Sequence, residues 1–281
     1  MSRLSNTVFA VLALGVVGTA LFVWHYRRPE GPSVVQTPVA PAPAPPAPAA
    51  SAKATTAGAV EHPIEVVAED AASQGPIPAE GVEGALEGLF GRKAVLSMFQ
   101  LADFPRRVAA TVDALGRSQS SSRLWPVNPA PEHFMVRTEG GVTTIDPDNG
   151  QRYTPFVLLI ETVDLRQVAA VYRRMYPLLQ DAYTGLGYPG RHFNDRVVAV
   201  IDQLMATPEP AGPLQVQLPT FGGAVQPTRP WVLYRFVDPE LEALSAGQKI
   251  LLRTGPVNEH RLKARLSELR GLLTAPSVPT R

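Results

Sequence analysis

Hydrophobic positions change their rhythm along this chain, and each change marks a different kind of segment. From Val8 to Trp24 they run unbroken, VFAVLALGVVGTALFVW, with no charge among them. At 1.5 Å per residue that run nearly crosses a hydrocarbon core of about 30 Å, and Thr7, His25 and Tyr26 lengthen it. Trp24 and Tyr26 fall where interfacial aromatics belong, and Arg27 and Arg28 can snorkel to the headgroups. The pattern predicts a transmembrane helix at about residues 8–26, inside an anchor of residues 1–28. The stretch WHYRRPEG that follows lacks the small residues of a cleavage site, so the anchor is expected to stay on the chain. Arg3 and the terminal amine on one side nearly balance Arg27 and Arg28 on the other, so flanking charge alone assigns no side.

Residues 29–77 are poor in large apolar side chains and dense in Pro, Ala, Val and Thr, most clearly in PVAPAPAPPAPAA from Pro38 to Ala50. Proline fixes φ and withholds a backbone donor, which leaves polyproline II and coil as the available states. The expectation is a disordered linker, a spacer reaching on the order of 150 Å if fully extended and about 40 Å as coil.

From Pro78 onward helical periods dominate. Asp103 is placed to cap a helix with Pro105 in its first turn, Phe104, Val108, Val112 and Leu115 on one stripe and Gly116 as its stop. His133 to Ile145 reads as a hairpin turning at Glu139, Gly140 and Gly141. Asp164 opens a long helical pattern through Leu165, Val168, Tyr172, Met175, Leu179 and Tyr183, where Pro177 predicts a kink or two abutting helices. Arg166, Arg173 and Arg174 read as its solvated face. Asn194 is placed to cap a helix from Asp195 to Ala206. Leu214–Leu218 and Trp231–Phe236 read as strands. Asp238 and Pro239 start a short helix, Ser245 and Gln248 have capping-box spacing for the next, and Leu262, Leu266, Leu269 and Leu273 form the stripe of the last. The fold class is mainly α with a few short β-strands, as a single globular domain at residues 78–275 followed by a disordered tail at 276–281.

Composition narrows function mainly by exclusion. The 26 basic and 25 acidic residues leave a net charge of +1, which gives no electrostatic case for nucleic acid. With no cysteine there are no disulfides, thiolate metal sites or acyl-anchoring thiol. Gly185–Leu186–Gly187–Tyr188–Pro189–Gly190 matches the dinucleotide pattern GxGxxG, but it follows a helix instead of a strand and reads as a C-capping turn. Asp146, Asp148 and Gly150 lack the sixth-position glycine and twelfth-position glutamate of a calcium loop, since Gln151 and Val157 stand there. Ser245 and Lys249 have the spacing of a Ser–Lys pair, but capping already accounts for Ser245. His25, His62, His133, His192 and His260 have no metal-ligand spacing, so no metal or cofactor is expected. The candidate binding residues are Arg152, Tyr153, Tyr188, Asn194, Asp195 and Arg196, polar and aromatic side chains crowded near helix ends. Such groups either line a pocket or satisfy helix termini.

Several stretches also carry a resemblance: Arg152-Tyr153-Thr154-Pro155, Tyr176-Pro177-Leu178, Leu186-Gly187-Tyr188-Pro189, Phe193-Asn194-Asp195-Arg196, Ile201-Asp202, Ala206-Thr207-Pro208-Glu209-Pro210, Ser245-Ala246-Gly247-Gln248-Lys249 and Leu251-Leu252-Arg253. In these the chain resembles a bacterial family catalogued as domain of unknown function 3014, from about residue 78 to 273. The resemblance implies a membrane segment and a Pro/Ala-rich stretch in a Gram-negative envelope, with the domain in the periplasm, and no catalytic residues. The expectation is a single-pass inner-membrane protein whose non-enzymatic domain binds an envelope protein or cell-wall material. Two alternatives stand beside it: a membrane-tethered hydrolase using carboxylates such as Asp195, Asp202 and Asp238, and a cytoplasm-facing tethered adaptor.

Overall fold

A computed structural model describes residues 60–64, 75–220 and 228–275, all within one compact unit. The expected anchor, most of the expected linker and the tail at 276–281 lie outside the described residues. Among the described residues no helix is long and apolar enough to cross a membrane.

The fold is mainly helical with short strands, as the periodicities predict. In chain order the helices are α1 (Val82–Phe90), α2 (Arg92–Met98), α3 (Phe104–Leu115), α4 (Thr154–Thr162), α5 (Leu165–Gly185), α6 (Phe193–Met205), α7 (Pro239–Ala243), α8 (Ala246–Thr254) and α9 (Pro256–Thr274). The strands are β1 (Val136–Glu139), β2 (Val142–Ile145), β3 (Val216–Gln217) and β4 (Arg235–Phe236). α5 and α6 pack on each other and on both α3 and α9, with α1 against α5, α4 against α9 and α8 against α3, α6 and α9. The largest apolar cluster joins Val82 and Leu86 of α1, Val95 of α2, Phe104 and Ala109 of α3, Met175, Leu179 and Tyr183 of α5 and Phe193 of α6. Phe193 and Val95 have no exposure at all, and burying such a side chain stabilises by roughly 1.5–3 kcal/mol. Leu266 and Leu269 of the α9 stripe pack with Leu273 on Ala169 and Ile201.

β1 and β2 form the expected hairpin, turning through Gly140 and Gly141 at φ 57° and 83°, where an L side chain would be strained. β3 pairs antiparallel with β4, and a bridge from Thr144 to Gln215 joins the two ribbons. The Trp231–Phe236 expectation is corrected: only Arg235–Phe236 is strand, while Pro230–Val232 coils into a 3-10 turn set by its leading proline.

Several local rules held. Asp164 accepts from the Arg166 amide at 2.8 Å, Asp238 from the Glu240 amide at 2.8 Å, and Ser245 and Gln248 exchange both bonds of a capping box. The Gly185–Gly190 stretch is the last residue of α5 and the turn that follows it, with Gly187 and Gly190 at positive φ.

Others gave way to packing. Of the two outcomes expected at Pro177, two abutting helices do not occur: α5 is one helix, because Met175, Leu179 and Tyr183 are buried on both sides of Pro177 in the same core and outweigh a proline cost of about 3 kcal/mol. Asp103 precedes α3 but sits in the left-handed region at φ 54° and makes no side-chain cap bond; its carboxylate faces Arg106 at 3.8 Å instead. The start of the domain also lies upstream of Pro78. Ile77 is buried in the main cluster and donates its amide to Arg174, whose Nε donates to Gly75.

Gly247 lets α8 lie close against α6 and the end of α3. A Cβ there would meet Leu204 Cδ2 of α6 at 2.6 Å and the Leu115 carbonyl at the end of α3 at 3.1 Å. Gly247→Val is therefore expected to cost about 1–3 kcal/mol through overpacking. A leftward shift of the urea midpoint at unchanged slope checks it.

Candidate functional site

The six candidate residues fall into separate nodes. Arg152 and Tyr153 belong to the 3-10 turn Pro147–Tyr153 that leads into α4. The Arg152 guanidinium donates Nε to the Pro131 carbonyl at 2.8 Å, Nη2 to Glu132 at 3.2 Å and Nη1 to Asn149 Oδ1 at 3.1 Å, and lies 5.4 Å over the Tyr153 ring. It thus holds the carbonyls of a bend in which Glu132 takes φ 62°. Asn149, which has no exposure, also accepts from the Met135 amide at 3.0 Å and donates to the Arg253 carbonyl at 2.8 Å. Arg253 stacks over Phe236 at 4.9 Å, and burial lowers its pKa from the ordinary arginine value.

Tyr188 and Arg196 meet at Asp113, which the helical pattern had left as an unremarkable α3 residue. The Tyr188 hydroxyl donates to Asp113 Oδ2 at 3.1 Å, and Arg117 bonds both that carboxylate and the tyrosine oxygen. Arg196 faces Oδ1 at 3.3 Å as an ion pair and donates Nη2 to the Asp113 carbonyl at 2.7 Å. Asp113 raises the Arg117 pKa, with Tyr188 second among the favourable causes. Tyr188 stacks on Tyr183 at 4.6 Å, and the Arg196 guanidinium fits where a side chain on Gly116 would stand.

Asn194 and Asp195 build a different arrangement on the first turn of α6. The helix begins at Phe193, one residue before the expected cap, because Gln180 of α5 accepts the Phe193 amide at 2.8 Å and takes over the capping duty. Asn194 is consequently inside the helix and wholly buried. Its Oδ1 accepts from the Tyr172 hydroxyl at 3.0 Å, while Nδ2 donates to the His62 carbonyl at 2.9 Å and toward the Leu273 carbonyl at 3.4 Å. Burial, then Tyr176 and Asp195, push the Tyr172 pKa well above its ordinary value, so the hydroxyl stays a donor. Asp195 accepts two consecutive amides of the same segment, Glu61 at 3.3 Å and His62 at 2.7 Å. Residues 60–64, assigned by composition to the disordered linker, are therefore seated on α6 by their main chain. Ordering five residues costs at least about 5 kcal/mol. Two charge-assisted bonds and one neutral bond return about 4–7 kcal/mol, so the segment is held with little margin.

The carboxylates of the hydrolase alternative do not converge in their contacts. Asp195 holds residues 61 and 62, and Asp238 caps α7. Asp202 accepts from Nε and Nη2 of Arg270, the latter at 3.0 Å, and the Arg270 bond holds its carboxyl below the usual range. Lys249 is 3.0 Å from the Glu242 carbonyl, so its ammonium is turned to α7 while Ser245 caps α8. Asp146 accepts from the Asp148 amide at 2.8 Å in a capping turn. Among the described residues no group of three or more His, Cys, Asp or Glu side chains could hold a metal ion.

Asn194→Ala removes three bonds from a dry position and leaves the Tyr172 hydroxyl and two carbonyls short of partners, so a loss of about 2–4 kcal/mol in chemical denaturation is expected. For Asp202 the folded pKa is depressed, so its contribution is present above the unfolded carboxylate range and is lost as pH falls through the folded value. Asp202→Asn should lower Tm modestly at neutral pH, and the gap from wild type should close on acidification.

Neither a curated protein nor a solved structure matches this chain. A family profile described as "Protein of unknown function (DUF3014)" matches residues 104–270, from the first residue of α3 into α9, and so takes in all six candidate residues. That match spans more than half of the sequence, and the chain belongs to this family.

Proposed function

We propose that this protein is a single-pass inner-membrane protein whose helical domain faces the periplasm and acts by binding or scaffolding, without catalysis. The observation that carries the binding reading is the use made of Asn194 and Asp195, the candidates most reminiscent of a site. Their side chains grip a polypeptide main chain. The remaining candidates tie loops and helix ends to one another, which suits a stiff surface for a partner better than a reaction centre. The membrane part of the reading rests on the uncharged run from Val8 to Trp24, and the periplasmic side rests on the family resemblance.

The partner expected is an envelope protein or cell-wall material. A C-terminal reporter active only in the periplasm should give signal, and a cytoplasm-dependent reporter at the same position should be silent. The opposite pattern would put the domain in the cytoplasm and sink the envelope assignment. Crosslinking in intact membranes, followed by pull-down, should then recover a stoichiometric partner.

A further inference from the structure

We propose that the cleft formed by Tyr172, Asn194 and Asp195 at the start of α6 is a main-chain binding site for an extended polypeptide segment of a partner, and that residues 60–64 are its resident occupant in cis. This deepens the binding reading above and rests on it, but not on the side of the membrane.

The recognition chemistry is visible in the bonds. Asp195 takes two consecutive amides, those of Glu61 and His62, while Asn194 gives its amide to the His62 carbonyl. One residue is thus held by both its N–H and its C=O, and the residue before it by its N–H. None of these bonds involves a ligand side chain. Val60, Glu61 and Pro63 are exposed, so the cleft reads the backbone and leaves side-chain identity largely free. Pro63 disfavours the helical region for His62 and so favours the extended form the clamp needs. The ligand class is therefore an extended segment, best with proline immediately after the clamped residue.

The clamp is oriented by bonds and a helix that do not involve the occupant. Asn194 is oriented by the Tyr172 hydroxyl of α5, and Asp195 stands in the first turn of a thirteen-residue helix, where a carboxylate is favoured. The occupant lies more than 130 positions from the clamp in sequence, but only residues 65–74 separate it from Gly75, which Arg174 holds to the domain. A tethered segment competes at an effective concentration in the millimolar range. A partner segment displaces it by adding contacts beyond the five residues seated here. Release of residues 60–64 then returns them to the stretch between anchor and domain and lengthens it.

The test uses the full chain in detergent and a labelled peptide of the sequence Val-Glu-His-Pro-Ile. His62→Pro removes the amide that Asp195 accepts at 2.7 Å and leaves the clamp residues untouched. The peptide is expected to bind the His62→Pro chain in the millimolar range, wild type several-fold more weakly, and the double variant with Asp195→Ala more than tenfold more weakly. Equal binding to all three chains, or no binding to His62→Pro up to about 20 mM, would overturn the proposal. Hydrogen exchange gives a reading that needs no unfolding-prone variant. The Glu61 and His62 amides should be protected in wild type and lose that protection on adding millimolar peptide. Random-coil exchange in wild type, or protection unmoved by saturating peptide, would overturn it. Capture of a partner by pull-down with a negative peptide result would leave binding intact and reject this cleft alone.

Discussion

An amide side chain with no access to water must spend its donors and acceptor inside the protein, and Asn194 spends them on three distant parts of the chain. Tyr172 brings α5, the Leu273 carbonyl brings the end of α9, and His62 brings a segment from well upstream of the domain. Neighbouring Phe193 and Asp195 complete the turn, one filling the main apolar cluster and the other gripping the upstream segment. The register of α6 is fixed by this turn. A slip of one residue would turn Asn194 off the buried face and bring a neighbouring side chain toward carbonyls that need a donor.

The same logic recurs with arginines. Arg107 gathers the Ala102, Arg123 and Trp125 carbonyls, Arg152 those of Pro131 and Glu132, Arg173 that of Leu272, and Arg265 those of Ile160 and Val163. A guanidinium offers five donors in a fixed fork, so one side chain can satisfy several backbone acceptors of an irregular segment. In a chain without cysteine, this is how long connections are pinned.

Elements whose determinants are local were legible in the sequence. The hairpin at Gly140 and Gly141, the caps at Asp164, Asp238 and Ser245 and the leucine stripe of α9 depend on residues a few positions apart. What was not legible depends on partners far away in the chain. Asn194 looked like a cap because nothing nearby reveals that Gln180 has that role. Asp113 drew no notice because, beyond the nearby Arg117, its partners come from positions 188 and 196. Arg173 and Arg174 read as a solvated face, yet both donate to carbonyls about a hundred residues away. The candidate residues were picked for being polar near helix ends, and the structure brings Asn194 and Asp195 to one purpose while Arg152 and Tyr153 serve another.

The position of Asn194 also decides what vacating the cleft would cost. Nδ2 carries two hydrogens, one for His62 of the upstream segment and one directed at Leu273. When that segment leaves, water reaches the same face, so the freed donor and the Asp195 carboxylate are hydrated instead of orphaned. Opening therefore forfeits the difference between protein and water hydrogen bonds, which is small, and regains chain entropy. The Tyr172 bond and the apolar packing of Phe193 are untouched, so the helix bundle does not have to loosen for its upstream segment to come and go.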